Sequence, residues 1–156
     1  YGNFEEYEEL VTTEREFIPS TVEDTRRSVQ RRVSVRTGQS QFRGLIREAY
    51  NDTCPITGCD DERGMQAAHI IQYMGEQTNH VTNGILLRND IHRLFDHQDG
   101  PFLRIEIQED EWIVRVDESL MQSTYGELDG TIMNLPNNQQ NWPNLEALRL
   151  AGWLVD

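Results

Sequence analysis

Two short apolar runs followed by a helical pattern constrain the fold of this chain most strongly. Residues 65–73 form an apolar run typical of a buried strand, and residues 84–87 form a second, shorter one. The polar stretch 74–82 between them contains turn-forming residues. A helical pattern follows the second run, with Asn89 or Asp90 as its candidate N-cap. The predicted order of elements is therefore strand, loop, strand and helix.

A further helix is predicted upstream of this unit. Apolar residues recur at helical spacing from Phe42 to Tyr50, and Ser40 is the candidate N-cap. The preceding Arg-rich stretch, 26–36, alternates apolar and polar residues and is predicted to be extended.

The downstream segment predicts a hairpin and a closing helix. Residues 102–107 and 112–116 alternate around a polar turn, which is typical of a β-hairpin, and residues 145–153 have a helical pattern. The chain of 156 residues suits one compact domain. We expect an α+β fold at 39–156 with its core at about 50–100, preceded at 1–38 by an acidic segment and the Arg-rich arm.

Three polar residues stand in apolar contexts within the strand, loop, strand and helix pattern. His69 lies inside the first strand, Asn83 begins the second, and His92 lies in the helix, with the spacing H-x13-N-x8-H. A histidine with a near-neutral pKa can accept a proton from water. A lone histidine among apolar residues is usually a satisfied core residue, so only the company of the other two favours a functional reading.

The segments AAHIIQY, NGILL and HRLFD resemble the HNH endonucleases, which have a ββα-metal fold with this order of elements. The upstream phrases RTGQSQFR, IREAY and CPITG resemble a subgroup that includes restriction-endonuclease-like proteins. The resemblance covers roughly residues 36–100. It implies a metal-dependent endonuclease acting on DNA in restriction or another defence system, with His69 as the general base, Asn83 as the residue that fixes the loop, and His92 as a metal ligand.

Phosphodiester hydrolysis explains why such residues would be useful together. The reaction needs a base for the attacking water, a cation for the developing charge and a stabilised leaving oxygen. Mg²⁺, or Mn²⁺ in its place, keeps several of its waters and accepts few protein ligands. One departure from the family concerns position 68, where many members carry a second metal ligand and this chain has Ala68.

Asp96 is the candidate second ligand, because it lies four residues after His92 and can share its helix face. The alternative for Asp96 is a hydrogen bond to the loop that follows the helix. For Asp90 we favour a helix cap over a metal ligand.

Basic charge is concentrated in one part of an acidic chain. The formal net charge is -13, yet half of the 14 basic residues lie between positions 26 and 50 with a single acid among them. Such segregation favours a phosphate-binding surface over a solvated charge run. The residues predicted to contact nucleic acid are Arg36, Arg43, Arg47 and Arg88.

The chain contains no lysine, and abundant acid without lysine is a pattern we associate with proteins of high-salt environments. A halophilic source would make the overall acidity a matter of solubility, with little bearing on the ligand. The two cysteines are too few for a disulfide framework, and no long apolar run exists. We expect a cytoplasmic protein that does not span a membrane, and leave a homodimer among the candidate states.

Two other functions are compatible with the sequence. The first is a nucleic-acid-binding module whose nuclease site has decayed, which Ala68 favours. The second is a structural zinc-binding interaction domain that uses Cys54, Cys59, His69 and His92. Four residues separate the two cysteines and no second pair follows, so buried thiols are the better interpretation.

Overall fold

The structure is a computed structural model that describes residues 16–24 and 31–156, with the side chains of residues 31–36 outside the description. Part of the predicted Arg-rich arm, at 26–30, and the acidic residues 1–15 therefore lie outside the described residues. Helices combine with two small antiparallel sheets, which confirms the predicted α+β class.

The central unit has two strands and a helix in the predicted order. Strands β1 (Met65–His69) and β2 (Gly84–Arg88) pair antiparallel, and helix α2 (Asn89–Phe95) follows β2 directly. Strand β1 ends at His69, earlier than the predicted run to residue 73. Beyond His69 the chain leaves the ladder because the side chain of Asn83 takes both the N–H and the carbonyl of Ile71. The ββα order thus places the loop between the strands directly after His69.

The predicted N-cap of helix α2 is wrong. Asn89 is already the first helical residue, and the N-cap Arg88 makes no side-chain capping bond. Asp90 instead accepts two hydrogen bonds from the Arg88 guanidinium, at 2.6 and 2.9 Å, and a third from the Tyr125 hydroxyl at 2.9 Å. These charge-assisted and hydroxyl bonds hold the Asp90 carboxylate at the second residue of the helix, where it is not the N-cap.

Helix α1 (Arg31–Ala49) packs on the two-stranded sheet through the predicted apolar face, where Phe42 and Ile46 are fully buried. Ser40 lies inside this helix and does not cap it. The stretch from Arg31 to Arg36, predicted to be extended, is helical. Arginine is a good helix former, and the continuous helix overrides the weak alternation read from the sequence.

The C-terminal part of the chain packs against helix α2 of the central unit. Strands β3 (Leu103–Gln108) and β4 (Glu111–Val116) form the predicted hairpin, and helix α3 (Leu145–Ala151) is the predicted closing helix. Helix α3 begins where Asn144 caps the N–H of Ala147 and ends at Gly152, whose φ of 77° permits a left-handed turn. The buried ring of Trp153 then packs on Phe95 of helix α2.

Within residues 16–24 and 31–156, no helix combines the length and the apolar character needed to cross a membrane.

The backbone of Gly84 is the point where helix α1 meets the sheet. A Cβ added to Gly84 would lie 2.5 Å from Cζ of Phe42 and 2.6 Å from Cδ1 of Ile46, and both side chains are fully buried. Strand β2 therefore needs glycine at this position for helix α1 to approach.

We expect Gly84→Ala to lower the free energy of unfolding by about 1–3 kcal/mol, because the buried ring and isoleucine cannot move aside without disturbing the core. Urea denaturation measures this loss. The matched control is Gly44→Ala, on the exposed side of helix α1 with open space around it. That change should raise stability by about 0.5–1 kcal/mol, because alanine favours a helix interior. Equal effects of the two substitutions would contradict the close approach.

Candidate active site

A cleft of about 780 Å³ opens between helix α1, strand β1 and helix α2. Five of the residues singled out from the sequence line it: His69, His92, Asp96, Arg43 and Arg47. The fold therefore brings the candidate base, both candidate metal ligands and two arginines to one surface. The other predicted site residues, Asn83, Arg88 and Arg36, are not among those that line the cleft; the side chain of Arg36 lies outside the described residues.

His69 is the last residue of strand β1, and its ring is held from two sides. The Nε2 atom lies 2.8 Å from Oδ1 of Asn79, a residue only 1% exposed. The ring also stacks on Phe42, with centroids 4.2 Å apart and planes 8° from parallel. Opposite His69 in the ladder stands Gly84, whose missing side chain leaves room for the Phe42 ring.

The partner of His69 determines which ring nitrogen carries the proton. An amide oxygen only accepts hydrogen bonds, so Nε2 must donate to Asn79 and Nδ1 of the neutral ring carries the lone pair. Burial lowers the pKa of His69 below its ordinary value of 6.5; the bond to Asn79 opposes this, and the neighbouring His92 adds to it. The ring is consequently neutral at pH 7, with one nitrogen free to accept a proton.

Asn83 lies just before strand β2 and is completely buried. Its Oδ1 accepts from the N–H of Ile71 at 2.9 Å, and its Nδ2 donates to the carbonyls of Ile71 at 3.1 Å and Thr78 at 2.8 Å. These three bonds tie the start of the loop between the strands, at Ile71, and its middle, at Thr78, to the one side chain of Asn83. Asn79, the partner of His69, belongs to the same loop.

His92 and Asp96 face each other across one turn of the α2 region. Nε2 of His92 lies 3.9 Å from Oδ2 of Asp96, and Nδ1 of His92 contacts the side-chain amide of Gln66 on strand β1. Burial lowers the pKa of His92, and the Asp96 carboxylate opposes this. A neutral imidazole and a carboxylate therefore stand side by side at the cleft, which is the state in which both can bind a cation.

This pair of donors fits a divalent ion that keeps most of its waters. Among the described residues no group of three or more His, Cys, Asp or Glu side chains is arranged to hold a metal. His92 and Asp96 would hold such an ion, with water completing its coordination, as Mg²⁺ tolerates. Ala68 is 1% exposed and packs in the core, so position 68 offers no third ligand.

The four predicted nucleic-acid contacts differ in how freely their charge is available. Arg43 is exposed in the cleft and forms no ion pair with any side chain that the structure describes. Arg47 pairs with Asp52 at 2.6 Å and Glu62 at 2.9 Å, and Arg88 pairs with Asp90. Arg43 is thus the cleft arginine best able to meet a phosphate, while Arg47 would have to exchange its present partners.

The cysteines do not join the histidines in a zinc site. Cys54 is buried, Cys59 is half-buried, and both thiols are free. Their loop is closed by the backbone bond from Cys54 N–H to the Cys59 carbonyl, at 2.8 Å. They form no metal-holding group with His69 and His92 in the part of the chain that the structure describes, so the zinc interpretation has no geometric support.

Sequence reasoning missed Gln66 and Asn79, which contact the two cleft histidines. Asn79 was interpreted only as a turn residue of the loop, and Gln66 only as part of a buried strand. A glutamine inside an otherwise apolar run, three residues before His69, is the signal that could have identified Gln66. No local signal marks Asn79, because its role depends on how the loop folds back onto strand β1.

Comparison with known proteins agrees with the central unit. Residues 54–99 match the family model described as HNH endonuclease. The match contains His69, Asn83, His92 and Asp96, and it covers less than a third of the chain. It supports the HNH family for this unit, and does not test the narrower resemblance to restriction endonucleases. No curated protein matches the chain.

We expect Asn83→Ala to lower the free energy of unfolding by at least about 2 kcal/mol, because it leaves buried groups of Ile71 and Thr78 without partners. Urea denaturation measures the loss. Asn134→Ala is the matched control, since Asn134 is exposed and its side chain makes no hydrogen bond within the described structure; it should change stability by no more than about 0.5 kcal/mol. The same small effect at both positions would refute the importance of the three bonds.

Proposed function

We propose that this chain is a metal-dependent endonuclease that hydrolyses phosphodiester bonds in DNA. The observation that carries the proposal is the state of His69. Its ring lines the cleft, burial lowers its pKa, and its Nε2 is bound to Asn79, so the lone pair of the neutral ring lies on Nδ1, which has no hydrogen-bond partner among the described residues. The match to HNH endonucleases across 54–99 supports the same assignment.

In this proposal His69 is the general base. Nδ1 takes the proton of the attacking water, and the ring becomes a cation whose Nε2–H still points at the Asn79 oxygen. The stack on Phe42 holds the plane of the ring during the transfer. Asn83 acts indirectly on His69, because its bonds hold the loop that carries Asn79.

His92 and Asp96 would hold the Mg²⁺ or Mn²⁺ ion. Such an ion, when bound, supplies Lewis-acid stabilisation of the charge that develops on the phosphate oxygens. Asp96 is exposed, so an ion between its carboxylate and the His92 imidazole would be accessible to solvent.

Arg43 would hold a backbone phosphate at the cleft, with Arg47 after it releases its acidic partners. Arg36 and Arg88 are proposed to contact the backbone outside the cleft. Contacts to phosphate position a duplex without reading its sequence. DNA as the substrate, and a role in restriction or defence, rest on the resemblance of the sequence to that subgroup; the homodimer and the halophilic source also stay predictions of the sequence.

The second candidate is a nucleic-acid-binding module that no longer cleaves. The specific observation in its favour is Ala68, a buried alanine at the position where many relatives carry a metal ligand. This candidate predicts DNA binding without metal-dependent cleavage, so the two are separated by the same assay.

We expect the native chain to nick or linearise supercoiled plasmid with Mg²⁺ or Mn²⁺, and His69→Ala to lower the rate by about 10²–10⁴-fold through loss of the base. His97→Ala is the matched control, because His97 lies in an exposed turn outside the cleft and should leave the rate unchanged. Thermal unfolding of each variant checks its folding, and His69→Gln repeats the test with a polar side chain. DNA binding without cleavage by the native chain would favour the decayed module.

We expect Arg43→Gln to weaken DNA binding and to reduce the slope of log K against log salt by about 1, because one phosphate contact is lost. Fluorescence anisotropy with a labelled duplex across a salt series measures both quantities. Arg149→Gln, on the exposed face of helix α3 and outside the cleft, removes the same charge from the chain as a control. If both variants bind equally weakly, overall charge and not the cleft governs binding.

A further inference from the structure

We propose that Gln66 orients His92 for metal binding, an inference that rests on the proposed metal-dependent function. The side-chain amide of Gln66 contacts Nδ1 of His92, and both residues line the cleft. Gln66 is therefore a positioning residue, acting on the ion through His92.

Gln66 contacts His92 because its side chain is long enough to cross from strand β1 to helix α2, which the methyl group of Ala68 is not. Alternate residues of a strand point to the same side, so Gln66 and Ala68 share a side of the sheet. Across the ladder Gln66 stands opposite Leu87, and Ala68 stands opposite Ile85. Ala68 ends at its Cβ inside the core, whereas the longer Gln66 extends to the cleft.

A metal-binding imidazole needs a hydrogen-bond partner on its other nitrogen. When one nitrogen gives its lone pair to a cation, the other carries the proton and donates it, and this second bond fixes the ring and raises its basicity. In His92 the nitrogen near the Asp96 carboxylate is Nε2, and the nitrogen that meets Gln66 is Nδ1. Gln66 is thus at the atom where such a partner is required.

A carboxamide can serve His92 both with and without the ion. Its oxygen accepts and its nitrogen donates, and a half-turn of the terminal group exchanges them in place. With the amide nitrogen at Nδ1, His92 accepts the bond and turns its Nε2–H towards Asp96. With the amide oxygen there, Nδ1–H donates and the lone pair of Nε2 is directed to the position beside Asp96. The ring keeps one orientation in both states.

The test measures Mn²⁺ affinity of the full chain without DNA, from the loss of the free-ion electron paramagnetic resonance signal. Gln66→Met keeps the length of the side chain but removes the amide, and should weaken Mn²⁺ binding about 10–100-fold. Gln66→Glu keeps an acceptor at the same atom and should bind Mn²⁺ at least as tightly as the native chain. His92→Ala should lose more affinity than Gln66→Met, because it removes the ligand itself.

Gln72 provides matched controls, because it also lines the cleft, is exposed and makes no side-chain hydrogen bond within the described structure. Gln72→Met should leave the affinity unchanged. Gln72→Glu adds the same charge as Gln66→Glu to the same cleft, so it measures how much of any gain is general electrostatic attraction. Thermal unfolding without metal checks each variant, and Gln66→Leu replaces Gln66→Met if the latter does not fold.

The outcomes separate this inference from the proposed function. Native affinity in Gln66→Met, or an equal loss in Gln72→Met, overturns the role of Gln66 while metal-dependent plasmid cleavage by the native chain still stands. A native chain that neither binds Mn²⁺ nor cleaves plasmid overturns the proposed function and this inference together. Loss in Gln66→Met with recovery in Gln66→Glu beyond the effect of Gln72→Glu supports both.

Discussion

The carboxamide of Asn83 holds the arrangement on which the rest of the candidate site depends. It is buried, and it bonds to the backbone at the start and in the middle of the loop between strands β1 and β2, at Ile71 and Thr78. Strand β1 ends at His69, so the ladder between the strands does not hold the loop beyond this residue. Because Asn79 lies on this loop, the position of the His69 partner follows from the same three bonds. One buried polar side chain thus holds the loop between the strands in a fixed position at the site.

The two histidines of the cleft are held by different contacts. His69 is held by an aromatic stack and a buried amide, which leave one nitrogen free and the ring neutral. His92 is held by Gln66 on one nitrogen and faces an exposed carboxylate with the other. Burial lowers the pKa of both, so neither repels a cation at neutral pH. The cleft thus brings the proposed proton acceptor and the proposed cation-binding pair together.

Helices and strands could be predicted from the sequence where burial of one face makes apolar residues recur at regular spacing. The face of helix α1 that carries Phe42 and Ile46, the two strands of the central unit and the C-terminal hairpin all follow from apolar spacing. The ends of elements could not, because they depend on competition between partners. Ser40 resembles a cap but lies in a continuous helix, and Asp90 is the second residue of helix α2, where it bonds to the side chains of Arg88 and Tyr125. Gln66 and Asn79 were missed because each meets its histidine only after the chain has folded back.

The ring of Phe42 is part of both the hydrophobic core and the candidate site. Its Cζ end lies over Gly84, where helix α1 meets the sheet, and one of its faces stacks on His69. Core positions are usually interchangeable among apolar residues of similar volume. Position 42 is not, since a leucine or methionine of adequate volume would maintain the packing and yet leave the imidazole without a flat surface. Redesign of this core for thermal resistance, guided by melting temperature alone, would select variants whose histidine is held by the Asn79 bond without the stack.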